Sequence, residues 1–275
     1  MKATGVAYAA GTVINALSLG VGSAFALNLK TITEVEKSKE TVLVSDGLKS
    51  KSQIVETALE YLGIKEGVTV KVKSSIPKSS GLGSSSAFVN SLLLALSKLF
   101  DLDFDPIEIV KINAKISLDC GISYTGAMDD AAASLLGGFV VTDNKKLELL
   151  RHDKINSRAA ILIPPWNRKK IDVDKMRHGE TEIIKSAIDL ALEGMYCEAM
   201  KLNSDYCCAI LGYDTTPVRL AEKSNLCAGL SGNGPAYVAF GSSVDICRLL
   251  GEWTKFGKVI LTTIPSDPAF KHLNS

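Results

Sequence analysis

The chain has 275 residues, 46% of them hydrophobic and 22% charged, which excludes disorder and collagen-like repetition and leaves room for one large domain or two sharing a cleft. Its 31 basic and 30 acidic residues leave a formal net charge of +1. No global field therefore draws it to nucleic acid or an anionic membrane, and an anionic ligand must be held by local donors. The six cysteines form no C-x-x-C pair and sit mostly in apolar runs, which predicts buried, reduced thiols in a cytoplasmic protein. No signal peptide is expected, and the apolar runs are too short and interrupted to span a membrane.

Residues 3–29 are small, apolar and Gly-rich, and predict two strands joined as a hairpin. Alternation over 31–35 and 41–44 predicts further strands. Helical spacing over 52–62 places Ile54, Ala58 and Leu62 on one face. A period-2 strand over 68–74 runs into a Gly/Ser-rich loop. A strongly apolar helix follows over 87–100, then a second, opened by Asp105-Pro106 and running to about Asp119. After a polar loop, 121–126, an Ala-rich helix spans 128–136 and ends at Gly137-Gly138, with a strand at 139–142. Beyond the turn 143–146 the pattern predicts a strand at 159–163 and helices over 180–193, 197–211 and 215–224. A strand at 237–240, a helix over 244–253 and a strand at 258–263 close the chain. Strands and helices mix without strict βαβ alternation, so the class is α+β with a boundary near residue 150.

The loop Pro77-Lys78-Ser79-Ser80-Gly81-Leu82-Gly83-Ser84-Ser85-Ser86-Ala87 carries the chemistry. Gly81 and Gly83 let backbone N–H groups approach an anion, and the helix that follows offers unpaired N–H donors and about half a positive charge at its N-terminus. The serine hydroxyls can cap that helix or ligate Mg²⁺. A Walker A loop is absent: residues 251–259 have one residue too many and end in Val. A Rossmann fingerprint fails because Ser86 stands at the third glycine position. The bland alternative is a serine-capped helix after a flexible turn.

The motif Pro77-x-x-x-Gly81-Leu82-Gly83-Ser84-Ser85-x-Ala87 resembles the central motif of the GHMP kinases. The segment through Asn15 and Gly22 stands where that family's first motif stands, and Leu230-Ser231-Gly232-Asn233-Gly234-Pro235-Ala236 resembles its third. Within the family the chain looks most like the archaeal-type shikimate kinases, through Gly20-x-Gly22-Ser23-Ala24-Phe25, Thr125-Gly126-Ala127-Met128-Asp129-Asp130-Ala131, and Tyr206-Cys207 with Leu211-Gly212-Tyr213-Asp214. It departs from mevalonate kinase and galactokinase in lacking a Lys or Arg within the first motif, where the only early cation is Lys2.

The resemblance implies a two-lobed α+β GHMP kinase fold. Residues 1–150 would form an N-terminal lobe like ribosomal protein S5 domain 2, and residues 151–275 a ferredoxin-like C-terminal lobe. It implies ATP on residues 77–87, with Mg²⁺ on Ser85 and Asp119. Asp130 or Asp129 would act on the acceptor hydroxyl, and both also suit the N-terminus of a short helix as capping residues. Asn15, Ser23, Thr125, Gly126, Gly232, Asn233 and Gly234 would line the acceptor site. The acceptor implied is the 3-hydroxyl of shikimate. Homoserine, a mevalonate-type alcohol, or a non-catalytic binding module of the same fold are the alternatives, and the protein would be a monomer or homodimer. His152, His178 and His272 show no ligand spacing and are expected at the surface, and Trp166 and Trp253 are expected to serve packing. An acceptor carboxylate needs a cation; Arg151, Arg158, Arg168, Arg177 and Arg219 are all open candidates.

Overall fold

The small, apolar N-terminal run folds as β1 (Lys2–Ile14), which returns antiparallel as β2 (Val21–Ser38). The structure, a computed structural model, describes residues 1–45, 47–103, 105–179 and 181–273. The segments expected as separate strands around residue 30 form one long strand. Its other edge carries two different neighbours: residues 21–25 pair with β6 (Phe139–Asp143) and residues 31–38 with β5 (Gly67–Ser74). β3 (Val42–Ser45) lies parallel to β5, β4 (Leu48–Ser50) pairs with β3, and β7 (Glu148–Asp153) pairs with β6. β4 and β7 were not expected from the sequence.

Helices α1 (Gln53–Tyr61), α2 (Ser84–Leu99), α3 (Pro106–Asp119) and α4 (Met128–Leu136) build one core with this sheet. In α2 nearly the whole circumference is buried, and each of Leu92, Leu93 and Leu96 contributes about 2 kcal/mol by leaving water. α2 begins at Ser84, three residues ahead of the expected start, with Gly83 as its N-cap. α3 matches its expected bounds: Asp105 caps Ile107 N–H and Pro106 fills the first turn.

A second, antiparallel sheet has the order β11-β8-β10-β9, built from β8 (Ser157–Ile163), β9 (Cys227–Leu230), β10 (Tyr237–Gly241) and β11 (Lys258–Ile264). With it go α5 (Val173–His178), α6 (Thr181–Leu192), α7 (Tyr196–Leu211), α8 (Thr216–Lys223) and α9 (Ser243–Trp253). α5 and β9 are additions to the expected pattern, and Glu180, expected to open α6, lies outside the described residues. The two sheets share a core: Phe25 and Phe139 of the first meet Phe240 of the second, and Phe139 also meets Tyr196 of α7, with ring centroids 4.6–5.2 Å apart. A 3-10 turn at Ala269–Leu273 brings Ala269 back onto Tyr8 and Ala26.

The thiols differ from expectation. Cys197 in the first turn of α7 and Cys227 at the start of β9 have Cα atoms 4.9 Å apart and are joined in a disulfide. Cys207 and Cys208 are buried free thiols, while Cys120 is half-buried and Cys247 exposed. Trp253 is fully buried, its indole N–H donating to the Pro217 carbonyl at 2.9 Å. Trp166, expected to pack, is exposed. His178 is exposed as expected. His152 is half-buried and shares a hydrogen bond with the Gly137 carbonyl at 2.9 Å. The side chain of His272 lies outside the described residues. No helix among the described residues is long and apolar enough to cross a membrane.

Candidate active site

A cavity of about 680 Å³ opens where β1, the glycine loop, α4 and the segment after β8 converge, a size suited to a small-molecule site. Residues 79–86 line it. Gly83 takes a left-handed conformation (φ 65°) and no side chain caps α2. The expected serine cap is therefore absent, and the first N–H groups of the helix keep their hydrogen-bonding capacity for an anion. Ser85 is exposed to the cavity. Of the expected loop residues, Pro77, Lys78 and Ala87 stand outside the lining: the Pro77 carbonyl accepts the Ser80 hydroxyl at 2.7 Å, and Ala87 is buried within α2.

The three glycine-bearing segments form one hydrogen-bonded unit. The Ser231 hydroxyl donates to the Gly81 carbonyl at 2.8 Å and accepts from Thr12 N–H at 3.3 Å. Gly232 N–H donates to the Thr12 hydroxyl at 2.8 Å, and Ala236 N–H to the Ser80 carbonyl at 3.1 Å. Gly81, at φ 85°, has no room for a side chain, because a Cβ there would land on the Ser231 carbonyl oxygen. Asn15 lines the cavity, but its amide is spent within the protein. Its NH₂ donates to Gly232 O and Asn233 Oδ1 at 3.2 and 2.8 Å, and its oxygen accepts from Leu17 N–H at 3.0 Å.

The adjacent aspartates of α4 both reach the cavity wall and differ in surroundings. The α4 N-terminus also lacks a capping side chain from Ala127. The Asp129 carboxylate turns back onto the backbone N–H groups of Asp129 and Asp130 and accepts from Asn144 Nδ2 at 2.9 Å. It also abuts Gly22, where a Cβ would lie 2.5 Å from its carboxyl carbon. Asp129 is buried, and burial raises its carboxyl above the ordinary range against those hydrogen bonds. Asp130 points toward Gly83 and the phosphate loop: a Cβ on Gly83 would lie 3.5 Å from its carboxyl carbon. Burial and then the Asp129 charge push the Asp130 carboxyl well up, and the Arg168 guanidinium opposes the shift.

A buried amide network sets the helices that carry these groups. Asn113 Nδ2 on α3 donates to Ser86 O at 2.9 Å and to Asn90 Oδ1 at 2.7 Å; Asn90 Nδ2 donates to Ala131 O on α4 at 2.8 Å. The uncapped end of α2 and the aspartates of α4 are thereby held in fixed relation.

Four expected site residues lie elsewhere. Ser23 is fully buried and donates to the Val140 carbonyl at 2.8 Å; on β2 it points away from the face on which Gly22 meets Asp129. Asp119 is exposed at the end of α3 and accepts from the Tyr61 hydroxyl at 2.7 Å, while Ser117 of the same helix lines the cavity. Gly126 packs on Ala114 of α3, and Gly234 on the ring of Tyr213. Thr125, Gly232 and Asn233 do line the cavity. Arg168, Lys169 and Lys170 also line it, from the segment after Pro164-Pro165. Arg151 pairs with Asp153, and Arg219 with Asp205 and Glu222, away from it.

Residues 50–138 match the family model for the GHMP kinases N terminal domain. The chain is 45% identical to a shikimate kinase of Archaeoglobus fulgidus, over 96% of this chain and 93% of that one. It is 37% identical to a shikimate kinase of Methanocella arvoryzae, over 98% and 96%. The chain belongs to the GHMP kinases. The family fold recurs at low identity in the mevalonate kinase of Methanococcus jannaschii (TM-score 0.74, 18% identical, 96% and 98% covered). It recurs also in the homoserine kinase of Cytophaga hutchinsonii (TM-score 0.71, 20% identical, 97% and 96% covered). As a GHMP kinase, this chain is an ATP-dependent kinase of small molecules.

Proposed function

We propose that the chain transfers the γ-phosphoryl group of ATP to the 3-hydroxyl of shikimate, giving shikimate 3-phosphate and ADP. The observation that carries the reaction type is the meeting, in one cavity, of an uncapped helix N-terminus behind a glycine loop with the carboxyl of Asp130, which faces Gly83. The acceptor is supported by relatives 32–45% identical over nearly the whole chain, each named a shikimate kinase.

In this reading residues 1–150 are the nucleotide lobe and residues 151–275 the lobe that closes the acceptor side. The N–H groups of residues 84–86 hold the phosphates. Asp130 accepts the hydrogen bond of the acceptor hydroxyl and takes its proton as attack proceeds. Asp129 fixes the start of α4 through Asn144 and keeps a negative charge beside Asp130, which makes Asp130 the stronger base. Ser85, exposed in the cavity, would be the protein ligand to Mg²⁺. When bound it neutralises charge on the β- and γ-phosphates. Most of the rate gain then comes from alignment and charge compensation.

A coupled ADP-release assay across shikimate, homoserine and mevalonate tests the acceptor. Shikimate is expected to be turned over at least about 100-fold more efficiently than the other two, as for a site that matches one polar pattern. No turnover of shikimate refutes the assignment.

A further inference from the structure

We infer that Arg168 receives the carboxylate of the acceptor, on a segment anchored by Lys169 to the third glycine-bearing segment. The inference deepens the kinase reading above and rests on it. Among the described residues, the cations that line the cavity are Arg168, Lys169 and Lys170. Lys169 is committed to the protein. Its N–H donates to the Tyr213 hydroxyl at 2.9 Å, its ammonium lies 4.9 Å from the centre of the Tyr213 ring, and it donates to the Gly212 carbonyl. Tyr213 is itself buried, stacks on Gly234, and donates to the Asn233 carbonyl at 3.3 Å. The backbone at residue 169 is therefore fixed to a segment that lines the same cavity.

Arg168, one residue earlier, makes no ion pair or hydrogen bond within the protein among the described residues, yet its charge is felt at Asp130. Lys170 also lines the cavity, but its ammonium is a point charge without the planar fork that matches a carboxylate. The phosphates have their own donors at the start of α2, so the ground state of ATP does not require this guanidinium. A carboxylate entering the cavity does require one, because it sheds water and the planar fork returns two parallel charge-assisted bonds. In shikimate the carboxylate sits on C1 and the reacting hydroxyl on C3. Both ends of so short a molecule must be met within one cavity, and Arg168 and Asp130 line the same one.

The test compares shikimate with its neutral methyl ester, using wild type, Arg168→Gln and Arg168→Lys. Wild type is expected to prefer the acid by roughly 100-fold in kcat/KM, the value of a charged hydrogen-bonded pair. Arg168→Gln should lose that preference through a higher KM for the acid alone, with the KM for ATP held within about twofold; because Arg168 also bears on Asp130, any change in kcat should be shared by acid and ester. Arg168→Lys, which keeps the charge but not the fork, should fall between. A loss of kcat shared by acid and ester with the KM for the acid unchanged overturns the inference, because Arg168 then serves the reacting groups alone. An unchanged acid-to-ester ratio overturns it as well. If wild type instead phosphorylates homoserine or mevalonate, the acceptor assignment falls, and Arg168 is judged by the same comparison of that acid with its neutral amide. Turnover of none of the three acids overturns both. Arg168 is exposed, so the variants should fold, and the ATP KM reports that they have.

Discussion

Gly81→Ala should damage both the fold and nucleotide binding, because Gly81 is where two segments 150 residues apart touch. An L-residue held at φ 85° costs about 1–2 kcal/mol. The added methyl also falls on the Ser231 carbonyl oxygen and comes within 3.1 Å of the Gly234 carbonyl oxygen. Both obstacles are backbone and cannot rotate away, so the segments must part, at the ~1–3 kcal/mol typical of overpacking. Parting them also weakens the Ser231 to Gly81 and Ala236 to Ser80 hydrogen bonds. The expected loss is about 2–5 kcal/mol, a large share of the ~5–15 kcal/mol that holds a domain together. Gly63→Ala is the matched control: its φ is 67° but no atom lies within 4 Å of the added carbon, so about 1–2 kcal/mol is expected. Urea unfolding followed by fluorescence of the buried Trp253 measures both, and initial rates give the KM for ATP. A Gly81→Ala protein no less stable than Gly63→Ala, with an unchanged ATP KM, refutes the stapling of the phosphate loop to the second lobe.

Asp130→Asn should lower kcat by about 10²–10⁴, the worth of a positioned base, while Asp129→Asn should lose less. Because the Asp130 carboxyl is raised, the acid limb of kcat/KM should lie above the usual carboxylate range, and Asp129→Asn should move it to lower pH. The same shift has a stability sign: folded Asp130 binds more proton than the unfolded chain, so its contribution is intact below the unfolded pKa and lost as pH rises through the folded one. Asp130→Asn should therefore unfold at higher urea than wild type at pH 7 but not at pH 3; equal midpoints at both would contradict the buried-carboxyl account. Asp119→Ala should leave activity and its Mg²⁺ dependence within about twofold, as expected for an exposed surface carboxylate, and a tenfold rise in the Mg²⁺ requirement would restore Asp119 as a ligand. Reduction of Cys197–Cys227, which closes a span of 30 residues, should cost up to roughly 3.5 kcal/mol by loop entropy; full alkylation of both thiols without reductant would show that the bond is not made.

What the sequence disclosed follows from how local each signal is. The start of α3 was legible because its cap and Pro106 are adjacent in the chain. The glycine loop was legible because strand, turn and helix follow in order. β7 escaped because Glu148–Asp153 alternates weakly and owes its strand to pairing with β6. Asp119 is expected only through the family resemblance, but helix phase decides which side chain meets the cavity. Ser117 faces inward, and two residues on the direction has turned by about 200°. Ser23 failed by the analogous rule for strands, one residue out of phase with Gly22. Asn144 and Arg168 carry no motif, and Tyr213 stands in a string that says nothing of what it touches. Each matters through a partner far along the chain, and only the fold supplies that information.

The contacts of Ser231 change what the glycines mean. Gly81 and Gly232 belong to different motifs, yet each leaves space that the other motif's backbone occupies: a Cβ on Gly81 would meet the Ser231 carbonyl oxygen, and one on Gly232 would lie 3.1 Å from the Gly81 carbonyl oxygen. Part of the glycine requirement in this site is therefore imposed by the protein on itself, apart from any demand of the phosphates. The glycine loop takes its shape from the first sheet through Ala10, whose N–H donates to the Leu82 carbonyl at 3.1 Å, and from the end of β9 through Ser231. The third segment also carries Asn233 and receives Tyr213, which anchors Lys169 beside Arg168. One hydrogen-bonded strip thus runs from the helix end proposed for the phosphates to the guanidinium assigned to the acceptor. A reaction that depends on aligning two anions for in-line attack needs their distance fixed more than it needs any single strong group, and this strip fixes it with backbone and buried hydroxyls rather than with long, mobile side chains.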